Sequence, residues 1–477
     1  MSIYFNLVHI HIYITNFSMK QLTNQHRFNL NISTLLFLCS LSATHQALAQ
    51  PLDLSIQNLP EQITATQTIS LQSIIRMAVA KHPLVQQAKG EADASIAEIG
   101  IGVAAGKPKV AIALDANTFQ GTYNRSQIAP NTVPLGPSIT MRYPLWDRSR
   151  IDADVALRTS RADAINDQVN IIKLSLAQQI GEVYNEIMRQ KSLIEVSHDY
   201  INNLEALTKD LNTVAKHDKG KRADAVLGAA RVVTAQAASS ARVVALQESM
   251  NNLRQIITHE LRRQSMTINT SDLTPLDFEG VFPPTKDLVN QALDAHPRLI
   301  RARADIETAI KQSVVAEVSN KPTTNLETSL STTRNFDGHV EILQQFQLRI
   351  VRSWDAYDGG AAAASKKAAD ARVEVAMSNY ENTKEDLETT LDTLWGSLTE
   401  RQERVDVLFS GTSLAKEVRD TAKIQFTAGR RSLLDLLNFE SDVFNAEQNL
   451  ALEKADLSLI KIKLLAQSGK LLAWANQ

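Results

Sequence analysis

Proline is confined to three places in this chain, and that confinement limits its fold more than any other feature. All 13 prolines lie at 51–144, 275–297 and 322, so none falls between Leu145 and Thr274 or after Pro322. Inside a helix a proline removes a backbone donor and clashes with the preceding turn, at a cost of about 3 kcal/mol. Two long runs without it, rich in Ala, Leu, Glu, Gln, Lys and Arg, point to very long helices. The apolar positions keep the matching period. Ile165, Val169, Ile172, Leu176, Ile180, Val183, Ile187, Ile194, Ile201, Leu204 and Leu211 form one stripe of a packed helix. The first long helix is expected from near Asp147 to the Asp218-Lys219-Gly220 break, and the second from Asp358 towards Ala428-Gly429. Return helices follow near 224–264 and 433–469. About 70 residues at 1.5 Å each span roughly 105 Å. Rods of that length do not fit a ball made from one chain of this size, so an elongated, coiled-coil-like body is expected.

The order of parts is given twice. A shift of 214 brings His82-Pro83 onto His296-Pro297 and Lys107-Pro108 onto Lys321-Pro322. A shift of 211 brings Tyr143 onto Trp354, Trp146-Asp147 onto Tyr357-Asp358, Tyr184 onto Trp395 and Asp224 onto Asp435. Two copies are too few for a solenoid and fit two similar sectors of a pseudo-symmetric body. The repeats are placed at 69–274 and 275–470, each with helix, strand hairpin, long helix and return helix. An N-terminal extension at 50–68 and a C-terminal tail at 471–477 flank them.

Ahead of each long helix the period changes from helical to alternating. Val110, Ile112 and Leu114 oppose Lys109, Ala111 and Asp115; Ile139, Met141, Tyr143 and Leu145 oppose Ser138, Thr140 and Arg142. In the second half Leu326, Thr328 and Leu330 oppose Glu327, Ser329 and Ser331, and Phe346, Leu348 and Ile350 oppose Gln345, Gln347 and Arg349. That predicts one two-faced hairpin per half, with polar loops at 120–136 and 332–340. Four such strands cannot close a barrel alone, since the smallest bacterial barrels have about eight. They either join strands of other chains or cover a local core. Tyr143, Trp146, Trp354 and Tyr357 sit at matched strand ends, where aromatics suit a membrane-interface girdle or ordinary packing at a strand-to-helix junction.

Residues 1–49 are expected to be a signal peptide, with 1–18 ahead of Met19, the expected start. Lys20 and Arg27 precede an apolar stretch through Leu35-Leu36-Phe37-Leu38 and an Ala47-Leu48-Ala49 cleavage pattern. The only cysteine, Cys39, falls inside it and lacks the small preceding residue of a lipoprotein signal. The mature chain then has no thiol for disulfides, zinc or nucleophilic attack. No later stretch has the length of a membrane-spanning helix, and a transmembrane β-barrel stays open. The net charge of −2 gives no argument for nucleic acid.

This order of elements resembles the TolC-type outer-membrane efflux protein family. Tyr357-Asp358-Gly359-Gly360 is similar to that family's recurrent Phe-Asp-Gly-Gly. The segment Gln425-Phe426-Thr427-Ala428-Gly429-Arg430-Arg431-Ser432-Leu433-Leu434-Asp435-Leu436-Leu437, continuing to Asn445-Ala446-Glu447-Gln448, resembles its most distinctive stretch. The resemblance covers essentially 69–470. It implies a mainly α fold with a small β part, in which duplicated long-helix hairpins form an α-barrel sector. It also implies a homotrimer in which each chain gives four transmembrane strands to one twelve-stranded barrel. The partners implied are outer-membrane lipid, a periplasmic adaptor and an inner-membrane pump, for multidrug efflux or type I protein secretion.

The resemblance also implies roles for single residues. Asp435 matches an aspartate lining the family's narrowest periplasmic ring, and Asn438 stands where its best-known member has a second one. Arg431 matches an arginine that ties the turn closed, Asp224 its acidic partner, and Phe426 a tyrosine whose hydroxyl helps that latch. Phe426 cannot donate that bond and Asn438 removes a charge per chain, which argues against a tight, strongly cation-binding gate. Read without the family, Asp224 and Asp435 lie where helices begin and suit capping, worth about 1 kcal/mol. The basic turns, with Lys216, His217, Lys219, Lys221 and Arg222 in one half and Lys423, Arg430 and Arg431 in the other, suit either adaptor docking or plain solvation.

No chemistry of catalysis or of a cofactor is visible. His82 and His296 each precede a proline, which favours a helix stop over a metal ligand. Gly100-Ile101-Gly102 lacks the third glycine and the strand of a nucleotide fingerprint, and Walker, His-Glu-x-x-His and nucleophile-elbow patterns are missing. A channel-tunnel is expected, not an enzyme. The rival is a soluble periplasmic coiled-coil adaptor or scaffold, for which a single helical hairpin between β-rich domains would be expected.

Overall fold

The computed structural model describes residues 69–116, 135–264, 268–276, 278, 285–334 and 342–476. The signal-peptide reading of 1–49, with Cys39, and the extension at 50–68 lie outside them. So do most of the two expected loops. Their described ends are strand instead, because pairing extends past the residues that alternate visibly.

Within Thr64–Gln477 the first repeat begins with helices α1 (Leu71–Lys81) and α2 (Pro83–Ala105). Strands β1 (Lys109–Ala116) and β2 (Leu135–Pro144) follow, then the long helix α3 (Arg148–His217) and its return α4 (Arg222–Gln264). The second repeat gives α5 (Thr285–Ala295), α6 (Pro297–Val318), β3 (Thr323–Arg334), β4 (Ile342–Ser353), α7 (Ala361–Thr427) and α8 (Leu433–Gln467). A short α9 (Leu471–Ala475) closes the chain. The 70 residues of α3 and 67 of α7 are single unbroken helices, which the absence of proline allows.

The His-Pro pairs end one helix and begin the next. His82 Nδ1 accepts the Leu84 amide and His296 Nδ1 the Arg298 amide, both at 3.2 Å, with proline at the first helical position. There proline has no helical bond to break.

The main core joins both repeats. Ile74 and Ile75 of α1, Ile180, Tyr184 and Ile187 of α3, Met250 and Leu253 of α4, and Ile462 and Leu465 of α8 are all buried in it. The Tyr184 hydroxyl donates to the Thr274 carbonyl at 2.6 Å, so its polar tip is satisfied inside this core. The expected tail at 471–477 contributes too: Leu471, Trp474 and Ala475 are buried, and Trp474 stacks on Phe278 at 5.4 Å. The second hairpin is tied by charge. Glu453 of α8, nearly buried, meets Arg401 at 2.9 Å and Arg404 at 3.3 Å from α7, and Lys416 reaches Glu447 at 2.6 Å.

The four strands form one antiparallel sheet in the order β1-β2-β3-β4. Register puts Val110, Met141 and Thr328 in line with Leu348, and Ile112, Ile139 and Leu330 in line with Phe346. These residues share the apolar face of the pleat. Val110, Ile112, Leu114, Phe346, Leu348 and Ile350 are 61–78 % exposed. The local-core alternative left open by the sequence is therefore excluded for the described chain.

Candidate functional site

Two ends of the described unit carry the residues singled out above. At one end the helical hairpins turn. Leu204 and Leu211 of α3, Ala225 of α4, and Leu433 and Leu437 of α8 form a buried cluster against which Phe426 packs. The two turns are thereby held side by side. In the second, the Gly429 N–H bonds the Phe426 carbonyl and the Arg430 N–H the Gln425 carbonyl, both at 2.9 Å. This 5→2 and 6→1 pair, with Gly429 at φ 69°, is a Schellman stop. A glycine fits there because other side chains strain at positive φ.

The capping expectation for Asp435 and Asp224 is corrected. Ser432 is the cap of α8, its hydroxyl accepting the Asp435 amide at 3.2 Å. Asp435 stands in the first turn, where a carboxylate faces the positive helix end without closing the cap. Asp224 likewise lies inside the first turn of α4 and pairs with Lys221 at 3.3 Å. Asp435 and Asn438 are both exposed, three residues apart on one face of α8. The latch residues are not paired with one another in this chain. Arg431 Nε donates to Gln425 Oε1 at 2.8 Å, and its guanidinium lies 5.1 Å from the Phe439 ring centre. Phe426 fills an apolar place and needs no hydroxyl there.

At the other end the sheet meets the long helices. Tyr143, Trp146, Trp354 and Tyr357 are 36–88 % exposed. Trp354 Nε1 donates to the Asn320 carbonyl at 3.1 Å, which leaves its ring outside. The Tyr-Asp-Gly-Gly segment has a mechanical reason. Gly359 and Gly360, at φ 72° and 91°, wrap the chain so that Asp358 accepts the Ala362 amide at 2.7 Å and the Gly360 amide at 2.9 Å. The Ala362 bond, then that of Gly360, holds the Asp358 carboxyl below its usual range. Across the junction Arg150 donates to the carbonyls of Ser319 and Lys321, each at 2.8 Å, tying α3 to the turn before β3. A guanidinium bridging two distant carbonyls leaves no spacing signal, so the sequence did not disclose it.

Sequence reasoning also missed the polar sheet face as a constellation. Glu327 accepts from Arg142 at 3.1 Å and from Arg349 at 2.6 Å. Alternation placed these residues on one face, but only the register makes them neighbours. Among the described residues no cluster of three or more His, Asp or Glu is placed to hold a metal, and no helix is apolar enough to cross a membrane. The latter says nothing about strands.

A sheet with its apolar face open is mounted on two long helical hairpins, and solved structures share this architecture. The fold is that of VceC from Vibrio cholerae, at a TM-score of 0.70 and 16 % identity, covering 84 % of this chain and 96 % of that one. It is also that of the Campylobacter jejuni CmeC outer membrane channel, at 0.70 and 12 %, covering 84 % and 85 %. The open-state MtrE outer membrane channel of Neisseria gonorrhoeae gives 0.67 and 14 %, covering 84 % and 88 %. No curated protein sequence matches this chain. Residues 288–470 match the family described as outer membrane efflux protein. That match falls within the second repeat, and the fold over most of the chain is that of the outer-membrane channels named here.

Proposed function

We propose that three copies of this chain close a twelve-stranded barrel in the outer membrane, continued into the periplasm by their helices. The one observation that carries this is the sheet. Its apolar face is open, its other face is polar, and β1 and β4 are unpaired edges among the described strands. In lipid every backbone polar group needs a partner, which favours closure over open edges. Closure with two further copies satisfies both edges and turns the apolar face to lipid. Tyr143, Trp146, Trp354 and Tyr357 then form the girdle at the membrane's periplasmic boundary. The scaffold reading leaves that face bare in water.

At the far end Asp435 and Asn438 line the periplasmic constriction, and Asp224, Arg431 and Phe426 set how tightly the turns close. Because Arg431 is engaged with Gln425 and Phe439 and Asp224 with Lys221, the latch is weak in this protein. Energy comes from an inner-membrane pump through a periplasmic adaptor, whose docking the basic turns suit. Three copies of Asp435 around an axis make a cation-binding ring. In planar bilayers the purified protein is expected to give discrete conductance steps. Asp435→Ala should enlarge them and weaken block by multivalent cations. Unaltered block would remove the ring, and an absence of conductance would remove the channel.

A further inference from the structure

The pairing register places Lys109 opposite Arg142, Arg142 opposite Glu327, and Glu327 opposite Arg349. One row of charge therefore crosses all four strands on the polar face. Toward the far end of the sheet the next two rows are Ala111, Thr140, Ser329 and Gln347, then Ala113, Ser138, Ser331 and Gln345. They are neutral. Glu327 holds the two arginines from flanking strands and is itself largely covered by them, whereas Arg142 and Arg349 stay mostly exposed. Lys109 is exposed and has no ion pair among the described residues. Three cations against one anion leave each sheet a net +2 in this row.

Resting on the trimeric barrel proposed above, we infer that this row is an anion-favouring belt in the barrel lumen, selecting anionic over cationic solutes. Closure turns the polar face inward and joins three rows into one ring. Twelve strands about 4.8 Å apart and tilted about 40° close at a backbone radius of about 12 Å. Arginine and lysine side chains narrow the open radius below the ~10 Å Debye length of 0.1 M salt, so the belt's potential reaches the axis. Low-dielectric walls focus that potential. Glu327 acts as an organiser: by holding Arg142 and Arg349 along the wall it keeps charge in the ring without blocking the lumen. The belt is opposite in sign to the Asp435 ring at the other end, so the two filters act in series.

The test is the reversal potential of reconstituted channels in a KCl gradient with about 0.1 M on the dilute side, set against about 1 M salt, where screening shortens to ~3 Å. Channels carrying Asp435→Ala, which removes the opposing ring, are compared with the same protein carrying Lys109→Glu or Arg349→Gln. Each added change should lower the anion-to-cation permeability ratio severalfold at low salt, with little effect at high salt. Lys109→Glu breaks no ion pair among the described residues, so it stays informative if Arg349→Gln disturbs the sheet. A three-chain channel of normal conductance whose reversal potential ignores Lys109→Glu would overturn the belt alone. A protein that is not a three-chain assembly would overturn the barrel and the belt with it.

Discussion

His296 is 1 % exposed, and its ring caps α6 as an acceptor. Burial, helped by the nearby Arg298 charge, pulls its pKa down to about 4 from the usual 6.5. A histidine shifted down is neutral in the folded state while the unfolded chain takes up protons. The stability it supports is present above pH 6.5 and is lost as pH falls towards 4. At full protonation the loss is about 3 kcal/mol, from 1.36 kcal/mol per unit. Glu440 works in the opposite direction, because burial raises its carboxyl against the pull of Arg419. His296→Asn keeps a capping acceptor without the titration. Its apparent melting temperature in detergent should therefore fall less than wild type between pH 7 and 4.5; parallel curves would contradict this. At this scale the sequence shows where a helix must stop, because proline dictates that locally. It does not show which side chain caps. Ser432 and Asp435 both suit a helix start, and the choice depends on a turn geometry set by Gly429 and the Leu433 contact. The partners of Asp224 and Arg431 were beyond reach for the same reason.

Element by element, the chain is easier to read. Helix α3 was expected from near Asp147 and runs Arg148–His217; α8 was expected at 433–469 and runs Leu433–Gln467. Long periodic runs between prolines carry their own boundaries. Strand ends were not visible, since Thr323–Asn325 and Ile342–Gln344 extend the sheet by pairing rather than by alternation. How closely helices approach was not legible either. Gly181 lets α3 meet α8 so closely that an added Cβ would lie 2.8 Å from Ile462 Cγ2, and Ile462 is fully buried. Gly181→Ala should destabilise by about 1–3 kcal/mol through overpacking, seen as a lower apparent melting temperature. Combining it with Ile462→Ala should cost less than the two single changes together, because the clash goes with the removed branch. Additive losses would mean that the helices slide apart instead.

For the molecule as a whole, duplication of parts does not mean equality of surroundings. Helix α3 packs against α2, α4, α6 and α8 and buries 18 residues along its length, whereas α7 buries six. Val375, Val407, Phe409, Leu414 and Val418 of α7 stay exposed, as do Val226, Val233, Val243 and Val244 of α4. Exposed apolar residues along α4 and α7 and an open apolar sheet are surfaces that the proposed assembly of several copies would cover. The sequence reading reached the need for further copies by counting strands. It could not separate the buried flank of a helix from one awaiting a neighbour, since both have the same period. Native mass spectrometry of the detergent-extracted mature protein tests this most directly. The account predicts a single species with the mass of three chains; a clean monomer or dimer would contradict it.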